Sequence, residues 1–397
     1  MDNIDVDFSE NIIKDIICQQ TKNDIKILST EKEYVIPPGE NYISELVRIT
    51  VKFCENDSKD VKSMSVISKT PLQKDIESGR DEKMKFFASE IAFYSEVLPM
   101  LNKLEYTTKI TPNPYYASKT PKKRIVLEDL SLLQYKMCNR LEGLDLDHCL
   151  LTMEKVAYLH AASLLLYEQN PTIMDIFKKD EFYKDELFKK WDSIAFKEML
   201  SACQRKPNLE KYVNLITQDL MGKCSALRKI DPKFNVFNHG DLWCNNLMFQ
   251  YNEDGYLNDV LFVDFQVATF TSPFYDLHFF LATTPNLEVK KTHTNTILKH
   301  YYDAFCKNVD VFKLKTKIPT CEEFNKEFCA KAYMGLGVTV TTMHLFKADK
   351  REDASITNFL KNEGEGSFRH HCFNNANYLA YLESSLSFYE KLGLFDR

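Results

Sequence analysis

The sequence from residue 236 to residue 273 limits the possible folds of this chain more than any other stretch. It reads VFNHGDLWCNNLMFQYNEDGYLNDVLFVDFQVATFTSP. Two short apolar runs, at 247–249 and 260–263, lie on either side of turn-forming residues at 252–255. Apolar runs separated by a turn rich in Asn, Asp and Gly predict a β-hairpin. The polar residues of the stretch precede this hairpin or follow its second strand.

These polar residues have the chemistry of a phosphoryl-transfer site. Asp241 and Asn246 lie before the predicted hairpin, and Asp264 follows its second strand. Transfer of a γ-phosphoryl group from a nucleoside triphosphate requires a carboxylate that orients the attacking hydroxyl group. It also requires oxygen ligands for the Mg²⁺ that bridges the phosphates. We therefore predict Asp241 as the catalytic base, and Asn246 and Asp264 as ligands of Mg²⁺, which prefers oxygen atoms.

The spacing of these residues supports the prediction. His-x-Asp-x-x-x-x-Asn, followed by a strand that ends in Asp-Phe, matches the catalytic and metal loops of protein kinases. Each residue alone is more typical of an ordinary turn or exposed loop, so the prediction depends on their joint occurrence. His239 is predicted to hold the loop backbone rather than to transfer protons. Asp276 is predicted either to be buried and accept hydrogen bonds from that loop or to cap a helix.

A lysine and a glutamate upstream are predicted to form an ion pair. Lys69 follows an apolar strand at 64–68, and Glu90 lies in a predicted helix at 83–98. Glu90 falls on the aromatic face of that helix, where a carboxylate is costly unless a cation meets it. Lys69 is the natural partner and would then bind the nucleotide phosphates. The alternatives are a surface lysine and a glutamate at the rim of the helix.

A glycine-containing turn is a candidate for a second nucleotide contact. The turn at 37–42 contains Gly39 and Asn41, and it precedes a predicted strand at 46–53. Such a turn can cover phosphate groups with its backbone N–H groups and with the side chain of Asn41 or Ser44. A single glycine is equally consistent with an ordinary solvent turn.

The predicted fold class is α+β, with a two-lobed protein-kinase-like architecture of a small β-rich N-lobe and a large helical C-lobe. An apolar strand at 124–127 ends in polar residues, which is where the first lobe would join the second. We therefore expect the N-lobe at 1–127 and the C-lobe at 128–397. Backbone groups of residues Glu128 to Leu130 would then be placed to meet the edge of an adenine ring.

The remaining sequence is predicted to be mostly helical. Apolar residues recur with helical spacing at 8–20, 148–167, 175–191 and 206–228. The segment at 148–167 is apolar nearly all round, which is typical of a buried helix. The C-terminal part, 286–397, is also predicted to be helical.

The composition excludes several classes of protein. A hydrophobic content of 44% and a charged content of 27% are those of a globular enzyme, and a net charge of −6 offers no basic surface for nucleic acid or anionic membranes. Eleven cysteines without CxxC pairs indicate reduced thiols and no zinc site. The N-terminal residues lack a secretory signal, and no run reaches the length of a membrane span. We expect a cytoplasmic enzyme that binds no nucleic acid and no membrane and needs no obligate protein partner.

The motifs together resemble the insect ecdysteroid kinase-like family, which is related to choline kinases and aminoglycoside phosphotransferases. The resemblance runs from about residue 39 to the end and rests on HGDLW with Asn246, VDFQ at 263–266, Lys69, Glu90 and LEDL at 127–130. It implies a protein-kinase-like fold, ATP and Mg²⁺ as cofactors, Asp241 as base, Asn246 and Asp264 as metal ligands, and Lys69 anchoring phosphate with Glu90 as its partner. It also implies phosphorylation of a hydroxyl group on an ecdysteroid or a foreign compound.

Three functions remain open from the sequence. The first is a small-molecule kinase that phosphorylates an ecdysteroid or similar lipophilic alcohol. The second is a choline or ethanolamine kinase, because an aromatic content of 13% suits an apolar cleft and a cation–π cage equally well. The third is a nucleotide-binding scaffold without transfer activity. A protein kinase is not favoured, because no activation segment ending in Ala-Pro-Glu follows Asp264.

Overall fold

The structure is a computed structural model of the whole chain. It describes residues 10–35, 44–56, 58–120, 122–178, 185–216, 220–227 and 229–395. Within these ranges the chain forms a sheet near its N-terminus and a larger, mostly helical part after it.

The N-terminal sheet has five antiparallel strands in the order β1-β2-β3-β5-β4. Its strands are β1 Ile25–Tyr34, β2 Ser44–Glu55, β3 Lys62–Pro71, β4 Pro114–Ser118 and β5 Arg124–Glu128. Apolar residues of β2 alternate with polar ones, so that one face of the sheet is buried. Helix α1, Glu10–Thr21, covers this face with Ile13, Ile16 and Ile17.

Helices between β3 and β4 bring one acidic side chain beneath the sheet. They are α2 Gln73–Glu77, α3 Arg80–Met84, α4 Phe86–Ala92 and α5 Leu98–Leu101, with a π-helical turn at Phe93–Val97 between the last two. The single helix predicted at 83–98 is interrupted at Lys85, whose φ of 57° is left-handed. Glu90 lies in α4 and is fully buried, as its position on the aromatic face predicted.

The mostly helical part surrounds two small sheets. Its helices are α6 Leu146–Gln169, α7 Glu186–Gln204, α8 Lys211–Leu215, α9 Leu220–Leu227, α10 Phe274–Thr283, α11 Leu287–Thr292, α12 Thr294–Phe312, α13 Cys321–Ala330, α14 Tyr333–Thr341, α15 Met343–Phe346, α16 Ile356–Lys361, α17 Phe368–Asn374 and α18 Ala376–Lys391. Its strands are β6 Lys136–Met137, β7 Val236–Asn238, β8 Leu247–Tyr251, β9 Leu257–Phe262 and β10 Thr269–Thr271, where β6-β8-β9 and β7-β10 form separate sheets. Strands β8 and β9 are the predicted hairpin.

The two-lobed α+β architecture predicted from the sequence is confirmed, while the boundary at 127/128 stays a prediction. The helix expected at 8–20, the strand at 46–53 and the buried helix at 148–167 are present as α1, β2 and α6. Strand β1 was not predicted. It is an edge strand with a bulge between Ile27 and Ser29, and only Ile25 of its ten residues is buried, so its apolar alternation is weak.

Two helices predicted from amphipathic spacing were wrong in extent. The segment at 175–191 contains the end of a 3₁₀-helix at Pro171–Lys178 and the start of α7, and residues 179–184 between them lie outside the described ranges. Helix α7 begins where the Asp185 carboxylate accepts a hydrogen bond from the Leu187 amide at 2.8 Å. The segment at 206–228 holds the short helices α8 and α9 instead of one helix, because Ile216 turns to an extended conformation.

One helix in the described part of the chain, α6, is long and apolar enough to cross a membrane. The sequence analysis expected no such segment. However, 78% of its most apolar window is buried inside the protein, as in the central helix of a folded core. Residues of α6 pack against the β8–β9 hairpin and against α12 in the main hydrophobic cluster.

A buried carboxylate joins the sheet to the segment that follows β5. Asp129 accepts hydrogen bonds from Arg48 Nε at 2.8 Å, Ser65 Oγ at 2.6 Å, and the amide and hydroxyl of Ser131 at 3.1 and 2.6 Å. Burial alone would raise the pKa of Asp129, but the hydrogen bonds from Ser131 and Ser65 and the charge of Arg48 lower it. Asp129 therefore connects β2 and β3 to the residues after β5.

Replacing Asp129 with alanine is expected to lower the free energy of unfolding by about 3 kcal/mol, because Arg48 loses its buried partner. Glu33 provides a matched control, since it pairs with the same arginine at 2.6 Å but is 64% exposed. Glu33→Ala should cost less than about 1 kcal/mol. Urea denaturation of both variants measures the difference, and equal losses would show that burial of Asp129 contributes nothing.

Candidate active site

Three charged side chains from distant parts of the sequence meet in one ion cluster. Lys69 Nζ, at the end of β3, lies 2.9 and 2.7 Å from the two carboxylate oxygens of Glu90 in α4. It also lies 2.9 Å from Asp264 Oδ1, just after β9. Lys69 is 4% exposed and Glu90 is fully buried, whereas Asp264 is 31% exposed. The ion pair predicted between Lys69 and Glu90 is therefore present, and Asp264 is a second partner that was not predicted.

The pKa values of the cluster are shifted by burial and by the neighbouring charges. Burial raises the pKa of Glu90 to about 6, and the charge of Asp264 adds to this effect although Lys69 opposes it. Burial acts to lower the pKa of Lys69, but the charges of Asp264 and Glu90 outweigh it and the pKa is raised. Lys69 is thus held as a cation between the two carboxylates.

An unusual backbone conformation directs the Asp264 side chain toward Lys69. Its φ is +70°, in the left-handed region that side chains other than Asn and Asp rarely adopt. The next residue, Phe265, donates its amide to Glu90 at 3.3 Å and stacks on Phe93 with ring centroids 3.7 Å apart. The sequence motif Val-Asp-Phe therefore places a carboxylate beside Lys69 and an aromatic ring in the hydrophobic core.

The predicted base and the predicted amide ligand are next to each other. Asn246 Nδ2 donates hydrogen bonds to the Asp241 carbonyl at 2.8 Å and to Asp241 Oδ2 at 3.0 Å. The amide nitrogen of Asn246 is thus used within the loop, and its oxygen is the atom left to serve a cation. Val263 donates its amide to the Asn246 carbonyl at 3.1 Å, which ties the loop to the end of β9.

Asp241 is shifted toward neutrality. Burial raises the pKa of Asp241 to about 7, and the charge of Asp264 raises it further, while the hydrogen bond from Asn246 opposes the shift. The charge of Asp264 thus opposes ionisation of Asp241. The carboxylate of Asp264 and the side-chain oxygen of Asn246 are the kind of ligand that Mg²⁺ prefers, so these two residues fit a bound Mg²⁺. In the described ranges, no group of three or more His, Cys, Asp or Glu side chains is arranged to hold a metal.

His239 and Asp276 support the loop as predicted from the sequence. His239 donates from Nε2 to the Val263 carbonyl at 3.0 Å, and its Nδ1 accepts the Asp241 amide at 3.3 Å. Burial lowers the pKa of His239, which is consistent with a neutral ring. Asp276 accepts the amides of His239 and Gly240 at 2.7 and 2.8 Å. The N-cap of α10 is Pro273, so Asp276 does not cap that helix.

A second layer of polar groups behind the loop was not predicted as part of the site. His160 in α6 lies 3.3 Å from Asp276 and 2.8 Å from the Tyr301 hydroxyl. Asn238 accepts the Asp276 amide at 3.2 Å. The sequence analysis identified Asp276 but left its buried partners unassigned, because the residues are separated by up to 141 positions.

The expected nucleotide contacts are only partly described. Asn41 lies outside the described residues. The Glu128 side chain accepts Lys109 at 2.6 Å and the Asn113 amide at 3.1 Å, and the Glu128 amide donates to the Asn113 carbonyl at 2.9 Å. Leu130 is buried, and its carbonyl accepts the Tyr135 amide at 3.1 Å. The proposed contact of residues 128–130 with an adenine edge stays a prediction.

Comparisons with known proteins identify a sequence family and similar solved structures. The sequence model of the ecdysteroid kinase-like family matches residues 38–314. No curated protein matches the sequence significantly. Among solved structures, a choline/ethanolamine kinase family protein from Mesorhizobium loti aligns with 12% identity over 84% of this chain and 88% of its own, with a TM-score of 0.37. The aminoglycoside phosphotransferase APH(4)-Ia aligns with 10% identity over 97% and 99%, with a TM-score of 0.34. Both TM-scores lie below 0.5, and the assignment of the site does not depend on them.

Gly240 determines how closely the two loops of the site approach. A Cβ atom at Gly240 would lie 2.2 Å from the Val267 carbonyl oxygen, and the φ of Gly240 is +87°. Gly240→Ala is therefore expected to lower the free energy of unfolding by at least about 3 kcal/mol, from backbone strain and from separation of the loops.

Gly255, in the β8–β9 turn, is the matched control. Its φ is +82°, but a Cβ atom there would meet nothing within 4 Å. Gly255→Ala should cost only the strain of a left-handed residue, about 1–2 kcal/mol. Chemical denaturation of both variants separates strain from contact, and similar losses would contradict the close approach at Gly240.

Proposed function

The chain belongs to the ecdysteroid kinase-like family, and we propose that it is a kinase that transfers the γ-phosphoryl group of ATP to a hydroxyl group of a small molecule. The acceptor in this proposal is an ecdysteroid or a similar hydroxylated lipophilic compound. The product would be an inactivated hormone or a detoxified foreign compound. The proposed location is the cytoplasm, and the proposed partners are ATP and the acceptor.

The observation that carries the proposal is the ion cluster of Lys69, Glu90 and Asp264 facing Asp241 and Asn246. A lysine held by a glutamate from a helix is the arrangement that kinase-type enzymes use to bind the α- and β-phosphates. An aspartate and an asparagine on neighbouring loops supply oxygen ligands for a hard cation. A scaffold without transfer activity would not require Asp241 and Asn246 to be held together.

The residues divide the proposed reaction among them. Asp241 accepts the proton of the acceptor hydroxyl while the hydroxyl oxygen forms a bond to the γ-phosphorus. At the same time the bond between that phosphorus and the β–γ bridging oxygen breaks, and ADP leaves. Lys69 binds the phosphates, and Glu90 positions Lys69. Asn246 and Asp264 would hold Mg²⁺, which neutralises the developing negative charge on the phosphates.

The proposal is tested by incubating the purified protein with Mg·ATP and a mixture of ecdysone, choline and simple phenols. Mass spectrometry is expected to detect a product that has gained one phosphate group. Asp241→Asn should abolish this product, because the amide cannot accept the proton, while Mg·ATP binding measured by calorimetry persists. Bound Mg·ATP that is never consumed by the unmodified protein would favour the scaffold, and phosphorylation of choline alone would favour a choline kinase.

Lys69 and Glu90 are expected to act as one unit. Removal of either residue leaves the phosphates without a positioned amine, so Lys69→Ala and Glu90→Ala should each reduce the rate of product formation strongly. Because both act through one ion pair, the double variant should lose little more than the single variants. Rates measured for all four proteins test this. Multiplicative losses would mean that Glu90 does not act through Lys69.

A further inference from the structure

An aromatic pair stands directly beside Asp241. Trp243 follows Asp241 by two residues, and its indole ring stacks on Phe346 with centroids 3.7 Å apart and planes 6° apart. Both side chains are only partly buried. Behind them, Phe279 and Ala282 of α10 and Val338 of α14 complete an apolar cluster. The described surface next to the predicted base is therefore apolar.

In the ranges that the structure describes, the indole nitrogen of Trp243 has no hydrogen-bond acceptor of good geometry, and Asp241 is the group that its N–H approaches. Trp243 Nε1 is buried, and within the described residues it makes no hydrogen bond of good geometry. It nevertheless lies close enough to Asp241 to lower the pKa of that carboxyl slightly against the larger effect of burial. A buried N–H group with a poorly placed partner is costly, and an oxygen atom of a hydroxylated ligand at Asp241 would supply a better acceptor.

The charges around this cluster are basic. Arg140 donates to the Phe346 carbonyl at 2.6 Å. Lys347 donates to the Arg140 carbonyl at 2.8 Å and lies over the Tyr381 ring at 3.9 Å. Lys290 donates to the carbonyls of Leu281 and Ala282 at 2.9 and 2.8 Å.

These lysines disfavour another positive charge nearby. Both are buried, and burial lowers the pKa of Lys290 to about 7 and that of Lys347 to about 8. In the described part of the chain, neither forms an ion pair with a carboxylate. Lys347 is therefore mostly charged at pH 7 and Lys290 about half charged, and both would repel a cationic ligand on the aromatic pair, against the attraction of Asp241.

The geometry of the pair is also unsuited to a cation–π cage. Such a cage presents several ring faces to one cation. Here the two rings lie face to face, so each covers one face of the other and the pair offers only its outer surfaces. A flat or extended apolar ligand matches these surfaces better than a compact ammonium group.

We propose that Trp243 and Phe346 form one wall of the acceptor site and select an uncharged, apolar alcohol over a cationic one. The inference rests on the proposed kinase function and specifies its acceptor. The acceptor packs against the two rings, its hydroxyl group points to Asp241, and a second oxygen atom of the ligand accepts the Trp243 N–H. Trp243 and Phe346 are thus residues that determine specificity.

The chain has only two tryptophans, which makes binding observable without turnover. The other, Trp191, stacks on Phe359 with centroids 3.9 Å apart in a separate aromatic core. In a Trp191→Phe protein the fluorescence reports on Trp243 alone. Ecdysone, testosterone and menthol serve as neutral alcohols, and choline and kanamycin as cationic ones. Each is titrated with and without Mg²⁺ and a non-hydrolysable ATP analogue.

At least one neutral alcohol is expected to change the Trp243 emission in a saturable manner, and the cations are not. Phe346→Ala in the same background should weaken that binding about tenfold or more, because a stacked aromatic partner is lost. Phe346→Tyr should restore it. Tyr106→Ala, which removes an aromatic residue that is 55% exposed, should leave it unchanged. Thermal unfolding checks each protein, and Phe346→Leu replaces Phe346→Ala if the alanine variant fails to fold.

Binding of the ATP analogue, measured separately by calorimetry, distinguishes the two proposals. If the unmodified protein does not bind the ATP analogue, the kinase function itself is refuted. Nucleotide binding with no Trp243 response to any neutral alcohol would refute the acceptor wall alone. A response to choline or kanamycin only, or equal affinity after Phe346→Ala, would also overturn it.

Discussion

The structure depends on one buried amine. Lys69 is nearly inaccessible, yet its charge is retained because two carboxylates lie within 2.9 Å of it. Removing one member of such a cluster leaves an uncompensated buried charge, at a cost of about 3–5 kcal/mol. The cluster joins the third strand of the sheet, a helix beneath it and the loop after the hairpin. The position of each element is therefore constrained by the other two. A fixed cation lies where the three elements meet.

The side of the cleft that carries Asp241 is held differently. The loop that carries Asp241 is positioned by a buried carboxylate, which accepts hydrogen bonds from backbone amides. Asp276 is fully buried, and its hydrogen bonds go to His239, Gly240 and His160. A buried carboxylate is tolerated only when its oxygens are satisfied in this way. Because the hydrogen-bond donors to Asp276 are mostly backbone amides, the loop is held by fixed dipoles rather than by flexible charged side chains.

Much of this site could be predicted from the sequence because its polar residues interrupt apolar patterns. Asp264 follows an apolar strand, and Glu90 lies on an aromatic helix face. Each of these positions predicts, from the sequence alone, that the carboxylate has a partner. Asp129 gave no such signal, because its partners in β2 and β3 are distant in sequence and individually ordinary. Strand β1 and the breaks around α7, α8 and α9 were missed for a related reason. Edge strands and helix ends are decided by tertiary contacts and caps more than by periodicity.

The two sides of Asp241 also differ in what they can bind. Toward Lys69 and Asp264 the groups are charged and suit a phosphate chain with its cation. Toward Trp243 and Phe346 the side chains are aromatic and are bordered by lysines that donate to carbonyls rather than to carboxylates, so these lysines would repel a cation. In the proposed reaction, a phosphoryl group would leave the first environment and join an oxygen in the second. A ring packed against the acceptor would leave no room for a solvent molecule and would keep water from competing with the acceptor hydroxyl. In this proposal, selectivity for an apolar alcohol and protection of ATP from hydrolysis would have the same structural origin.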